Sequence, residues 1–248
     1  MPKQRDPRAG FTIIELMMVI GIIAILIGIL LPSLARVRGS AVRTVGLSNI
    51  RQLHLAVQMY VNDSSGIYPS TQDGRSYPTT GLPGGPLVGF PYWQIHETWT
   101  GVIIDQLPYA ENVEILISPN SLRLEDDFAP WPSSYKYATA FAGQPRLWSG
   151  RDLIDPLALR VAAREHQVVF PSAKTLLWDA EMAWLFERTT NSLGDALDLT
   201  TMAMADGSAS LRAPADAELP TPNAIGHAFS DRRLYNTTDG VRGRDYTR

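Results

Sequence analysis

Two kinds of hydrophobic patterning divide the chain. Residues 16–35, LMMVIGIIAILIGILLPSLA, run for 20 positions without a charged side chain. The run is apolar on every face, which an amphipathic surface helix is not. At about 1.5 Å per residue, a helix over 11–31 covers roughly 31 Å. That matches a bilayer hydrocarbon core of about 30 Å. Beyond the run the pattern becomes one-sided. Leu47, Ile50, Leu53, Val57 and Val61 fall close to the i, i+3, i+7 positions of one helical face. One helix over 11–62 follows, closed by Asp63-Ser64-Ser65-Gly66.

Pro32 is the weak point of that helix. It lacks an amide hydrogen, and its ring meets the carbonyl of Gly28. Gly28 and Pro32 therefore mark a kink. Gly21, Gly28, Gly39 and Gly46 each weaken the helix by about 1 kcal/mol relative to alanine. Ala24 and Gly28 also offer a small-x-x-x-small face for close helix approach.

The remaining chain is patterned in short pieces. Residues 66–96 are rich in Gly, Pro, Ser and Thr and read as one long loop. Its Tyr68, Tyr77, Tyr92 and Trp93 either pin the loop to a core or form an adhesive surface. A helix is expected over 98–107, strands over 113–118 and 134–141, and a short helix over 156–165. Apolar strands follow over 175–179 and 199–205. Asp206-Gly207 then turns the chain into 208–212, a hairpin signal. The tail, 213–248, carries Pro214, Pro220 and Pro222 and reads as loop. The expected class is α+β, an antiparallel sheet laid on the long helix.

Charge sharpens this division. The chain has 248 residues and a formal net charge of -3. Residues 1–60 hold 7 Lys+Arg against 2 Asp+Glu, and residues 61–248 hold 15 against 23. The two parts are thus +5 and -8. With no cysteine, disulfides, thiolate zinc sites and cysteine nucleophiles are excluded. A secretory signal peptide shares the basic start and apolar stretch. Its apolar core is usually about 7–15 residues, followed by an A-x-A-like site that this run lacks. Flanking charge leaves orientation open, since Lys3, Arg5 and Arg8 face Arg36, Arg38, Arg43 and Arg51 across the run.

Glu15 is the exception inside the apolar segment. A carboxylate there costs roughly 2.5–3.5 kcal/mol on insertion scales unless it finds a partner. The span itself supplies no cation. A new α-amino group, made by cutting before Phe11, would be one.

Here the residues resemble a family. Gly10-Phe11-Thr12-Ile13-Ile14-Glu15-Leu16 resembles the cleavage and methylation motif of type IV prepilins and type II secretion pseudopilins. A short basic leader ends in Gly10, Phe11 becomes the first mature residue, Glu15 the fifth, and Pro32 the twenty-second. The resemblance covers about the first 35–60 residues. It implies that a prepilin peptidase cuts between Gly10 and Phe11 and N-methylates Phe11. It implies that Glu15 pairs with the Phe11 amine of a neighbouring subunit. It implies a leader over 1–10, a long helix over 11–62 with 11–35 in the membrane, and an outward-facing head over 63–248. The amino terminus would lie in the cytoplasm and the head in the periplasm of a bacterial inner membrane, later in a filament. Partners would be other pilin or pseudopilin subunits, an inner-membrane assembly platform and membrane lipid.

The head is similar to a branch of large pseudopilin-like proteins. These often carry a Cys-Pro pair, an Asp-Gly hairpin and a terminal Asp-Gly-x-x-Gly-x-Asp-like stretch. Here the counterparts are Ser118-Pro119, Asp206-Gly207 and residues 239–245. Ser118 in place of cysteine is a departure.

The head carries no G-x-S-x-G, H-E-x-x-H or P-loop motif, and His54, His96, His166 and His227 are scattered. No catalytic residue or cofactor is expected, and the chain reads as a non-enzyme. Asp239 and Asp245 are calcium candidates, as are Asp195 and Asp198, but neither spacing is an EF-hand loop. Turn chemistry accounts for the same residues. Arg232, Arg233, Arg242 and Arg244 alternate with acids and form no clear basic patch, so no nucleic acid is expected. The leading reading is a structural subunit of a type II secretion or type IV pilus-like assembly. The other is a tethered adhesion module that uses the same export route.

Overall fold

The computed structural model describes residues 12–71, 76–78, 87–89, 92–107, 113–119, 133–150, 157–181, 198–221 and 233–247. The helices and strands are α1 (Ile13–Asp63), β1 (Ser76–Pro78), β2 (Leu87–Gly89), α2 (Ile95–Val102), β3 (Tyr135–Tyr137), β4 (Thr175–Asp179), β5 (Thr200–Met204) and β6 (Ala209–Arg212). The chain divides into two compact units, residues 1–41 and 42–248, and the division falls inside α1.

In the first unit, α1 stays helical through Pro32. The Ser33 hydroxyl donates to the Leu30 carbonyl at 2.7 Å. Side chains 12–34 are all exposed.

The second unit is built on four strands in the order β3-β4-β5-β6, every pair antiparallel. Tyr135 pairs with Asp179, Trp178 with Met202, and Thr201 with Leu211. The two central strands, β4 and β5, are buried at all positions. Their sequences, TLLWD and TTMAM, show no apolar alternation because neither face meets water. Ile50, Leu53, Val57 and Val61 of α1 join the same core and are wholly buried with Trp99, Tyr137 and Leu177. The one-sided helical pattern and the apolar strands thus converge on one core.

Several local expectations change. Residues 113–116 form a 3-10 helix rather than a strand. The segment is short, and Pro119 ends what a strand would need to continue. Residues 135–137 are strand, but 139–141 close into a 3-10 turn. The helix expected over 98–107 begins earlier, at Ile95, and passes into 3-10 geometry at Ile104. Over 156–165 the described helical pieces are 3-10 turns, Leu157–Leu159 and the start of Glu165–Gln167. The long loop contains a ribbon, β1 paired with β2. Tyr68 and Tyr92 of that loop enter the core, Tyr68 at 4.6 Å from the Phe141 ring. The side chains of Tyr77 and Trp93 lie outside the described residues. Asn49, a polar residue beside the apolar face of α1, is also buried and faces the Tyr135 hydroxyl.

The Asp206-Gly207 hairpin forms between β5 and β6. Gly207 has φ +84°, which a side chain disfavours. Asp206 accepts the Ser208 amide at 2.9 Å and its hydroxyl at 2.7 Å. The turn presses on α1. A methyl built on Gly207 would lie 3.1 Å from the His54 ring. His54 is buried with Nε2 at 3.3 Å from the Ala205 carbonyl.

Burial holds the His54 pKa below its ordinary 6.5, against the Ala205 bond and the Asp206 charge. The folded state therefore binds this proton less readily than the unfolded chain. Stability is retained above the unfolded value and falls as pH drops below about 6.5 toward the lowered folded pKa. In pH-series melts of the full chain in detergent, the midpoint should fall between about pH 7.5 and 5. His54→Gln, which keeps a donor and does not titrate, should flatten that slope.

Candidate functional site

The start of α1 is held by its own side chains. The Thr12 hydroxyl accepts the Glu15 amide at 3.2 Å. Glu15 Oε2 in turn accepts the Thr12 amide at 2.9 Å and the Thr12 hydroxyl at 2.8 Å. This is a capping box, T-x-x-E, which satisfies amides that the first turn leaves orphaned. Its sequence signal lies at 12–15, overshadowed there by the apolar run and the charge of Glu15. Gly10 and Phe11 lie outside the described residues. Gly28 has open space around the position of a Cβ, as have Gly21 and Gly39.

At the other end of the sequence, the Asp-Gly-x-x-Gly-x-Asp stretch closes a clasp. Asp239 is left-handed at φ +60° and donates its amide to the Trp148 carbonyl at 2.9 Å. Gly240 follows at φ +57° directly under Trp148, where a methyl would collide with the indole. A methyl on Gly243 would strike the Thr238 carbonyl. The chain then delivers Asp245 to the start of β4. Its Oδ1 lies 3.1 Å from Lys174 Nζ, and its Oδ2 accepts the Thr175 amide at 2.7 Å. Thr237 donates to the same carboxylate. The Asp245 amide donates back to the Ala173 carbonyl at 2.9 Å. Tyr246 adds a bond to the Ala213 carbonyl at 3.1 Å and lies under Arg212.

Both ions are inside: the Lys174 side chain is 0% exposed and that of Asp245 2%. Burial lowers the Lys174 pKa, and the Asp245 charge and bond oppose that shift. The ammonium also lies 6.0 Å from the Phe141 ring. Asp245 thus meets a built-in cation. A calcium ion at Asp245 would have to displace it. Asp239 lies instead in the turn, and Asp195 is outside the described residues. Among the described residues no three His, Asp or Glu side chains gather as metal ligands.

Other candidate residues take packing roles. Ser118 is buried and donates to Asp179 at 2.5 Å. The Asp179 carboxylate also accepts the Glu181 amide at 2.9 Å. A hydrogen bond thus ties the 113–119 segment to β4. Beside it, Val45, Asn49, Glu114, Ile117 and Ser118 line an open cleft of about 340 Å3. Glu97 receives Lys136 at 2.8 Å and lies 3.6 Å from buried His96. The His96 contact, then Lys136, brings the Glu97 carboxyl down to about 2 against burial. His166 is exposed, and His227 lies outside the described residues. Arg233 points inward, donating to the Ala215 carbonyl at 2.6 Å, and Arg244 lies 5.5 Å from the Phe170 ring.

Comparison with known proteins bears on the amino-terminal segment. Residues 5–31 match the family model of the prokaryotic N-terminal methylation motif. Over 71 residues the chain is 38% identical to the type II secretion system core protein G of Pseudomonas aeruginosa. The protein of that name from Klebsiella michiganensis gives the same identity over the same length. These matches cover 29% of this chain and 49% of each relative. The chain spans about half the length of the curated relatives it matches. No solved structure matches.

The clasp makes a quantitative prediction. Asp245→Asn keeps an acceptor for the Thr175 amide but leaves the ammonium buried without a counter-charge. It should cost about 3–5 kcal/mol of unfolding free energy, the usual loss when one partner of a buried pair goes. Adding Lys174→Met should restore most of that loss in denaturant titrations.

Proposed function

We propose that the chain is a structural assembly subunit of pseudopilin or minor-pilin type. It would serve a type II secretion or type IV pilus-like machine, and its chemistry is to be processed rather than to process. The observation that carries this reading is the coincidence of three features in one segment. Residues 5–31 match the methylation motif. The helix that follows is long and apolar enough to cross a membrane. Glu15 stands in its first turn.

In this reading a prepilin peptidase hydrolyses the bond between Gly10 and Phe11. The new Phe11 amine is then methylated. The Thr12 amide is untouched by the cut, so the capping box survives maturation. The apolar part of α1 holds the subunit in the inner membrane, amino terminus inward and head outward. The Glu15 carboxylate then pairs with the Phe11 amine of a neighbour. Two buried charges of opposite sign neutralise one another only when subunits align, so the pair sets register more than it adds affinity. The Gly28 to Pro32 stretch gives the helix a place to yield during packing.

Two measurements test this. Gly10→Trp should accumulate uncut precursor on an immunoblot, and normal processing would place the cut elsewhere. Glu15→Ala should insert into membranes normally yet lose co-purification with other subunits by tenfold or more. Unchanged co-purification would remove Glu15 from the assembly contact.

A further inference from the structure

The uncharged run ends at Ala35, and the next residues are Arg36, Val37 and Arg38. Both arginines are exposed. No carboxylate occurs between Glu15 and Asp63. Lys174 pairs with Asp245 and Lys136 with Glu97, both in the second unit. Neither pair includes these arginines.

Their spacing says what kind of partner they suit. At about 100° per residue, positions two apart leave a helix roughly 200° from each other. The two guanidinium groups therefore emerge on opposite sides. A protein partner docking on one face of the helix would meet one of them. A partner that surrounds the helix meets both. Depth agrees with this. From Ile13 to Ala35 a helix covers about 34 Å, slightly more than the hydrocarbon thickness of about 30 Å. When Ile13 stands at one boundary, Arg36 and Arg38 stand in the headgroup layer of the other. Their aliphatic stems can lie along apolar surface while the charged ends reach outward. The planar guanidinium fork matches two phosphate oxygens at once.

We propose that Arg36 and Arg38 form a two-sided collar that binds the phosphates of anionic lipids at the outward boundary of the membrane. The proposal rests on the membrane-spanning reading of α1 and adds a lipid preference to it. The leader charges are lost when the chain is cut, so the collar becomes the mature helix's main electrostatic hold on the bilayer. An anionic surface favours each nearby arginine by about fivefold.

The test uses the full-length chain reconstituted in vesicles of equal phosphatidylcholine and phosphatidylglycerol. The vesicles are washed with alkaline carbonate, and the chain is then released in mild detergent for native mass spectrometry. The wild type should stay with the vesicles and retain phosphatidylglycerol over phosphatidylcholine by about fivefold or more. Arg36→Gln/Arg38→Gln should also resist carbonate but show a preference about fivefold or more below that of the wild type, Lys3, Arg5 and Arg8 of the uncut leader being common to both, with each single variant between. Equal retention of the two lipids by the wild type would overturn the collar and leave the span standing. Release of the wild type by carbonate would overturn the span, and the collar with it. If the double variant kept its lipid preference but lost copy-to-copy crosslinking, the arginines would belong to an acidic head instead, and the collar would fall.

Discussion

The buried pair of Lys174 and Asp245 is the constraint around which the head is arranged. It joins residues 71 positions apart, at the entry to a central strand and near the last residue. Neither charge can be left alone in such a place, because removing an ion from water costs several kcal/mol. The surrounding sequence is the means of bringing them together. Gly240 and Gly243 give the backbone passage beneath Trp148 and past Thr238. Thr237 and the Thr175 amide supply the remaining bonds. Because Thr175 is also the first residue of β4, the clasp fixes the strand that sits between β3 and β5. A well-packed apolar contact of similar volume is often as stable as such a pair.

Some of this arrangement is legible in the amino-acid sequence alone. The Asp206-Gly207 hairpin rests on turn chemistry within a few residues, and local chemistry is what a sequence displays. The long helix is legible for the same reason, since its apolar positions repeat at a fixed interval. Residues 113–118 show the limit of such reading. Five apolar or small side chains suggest a strand, yet whether they pair depends on a neighbour that the local sequence does not name. Asp245 shows it more sharply. In one dimension it is a carboxylate in a turn, open to metal or solvent. Its partner is a lysine with no periodic relation to it. Thr12 is a different case. Its signal is local, but the charge three residues away is the greater oddity in an apolar run.

In the proposed reading, the two ends of the chain handle charge by opposite routes. In the head, an acid and a base are closed into one protein interior during folding. In the amino-terminal segment, Glu15 and the arginines beyond Ala35 flank a stretch with no charge at all. Their counter-charges, in the proposed reading, come from other molecules: a neighbouring subunit on one side and lipid on the other. The -8 of residues 61–248 and the +5 of residues 1–60 therefore differ in more than sign. In that reading one part is complete on folding, and the other only in company.

The geometry of Glu15 has a consequence for how such a helix waits. Both bonds from Thr12 end on the same oxygen, Oε2. A carboxylate has a second oxygen with its own lone pairs. The helix start and an incoming amine therefore need not compete for one acceptor. In the proposed assembly, a lone subunit would keep its first turn wound, and a neighbour could arrive without unwinding it. Recruitment in that assembly would then add a contact to an ordered terminus instead of ordering one, which would remove an entropic barrier from every successive addition.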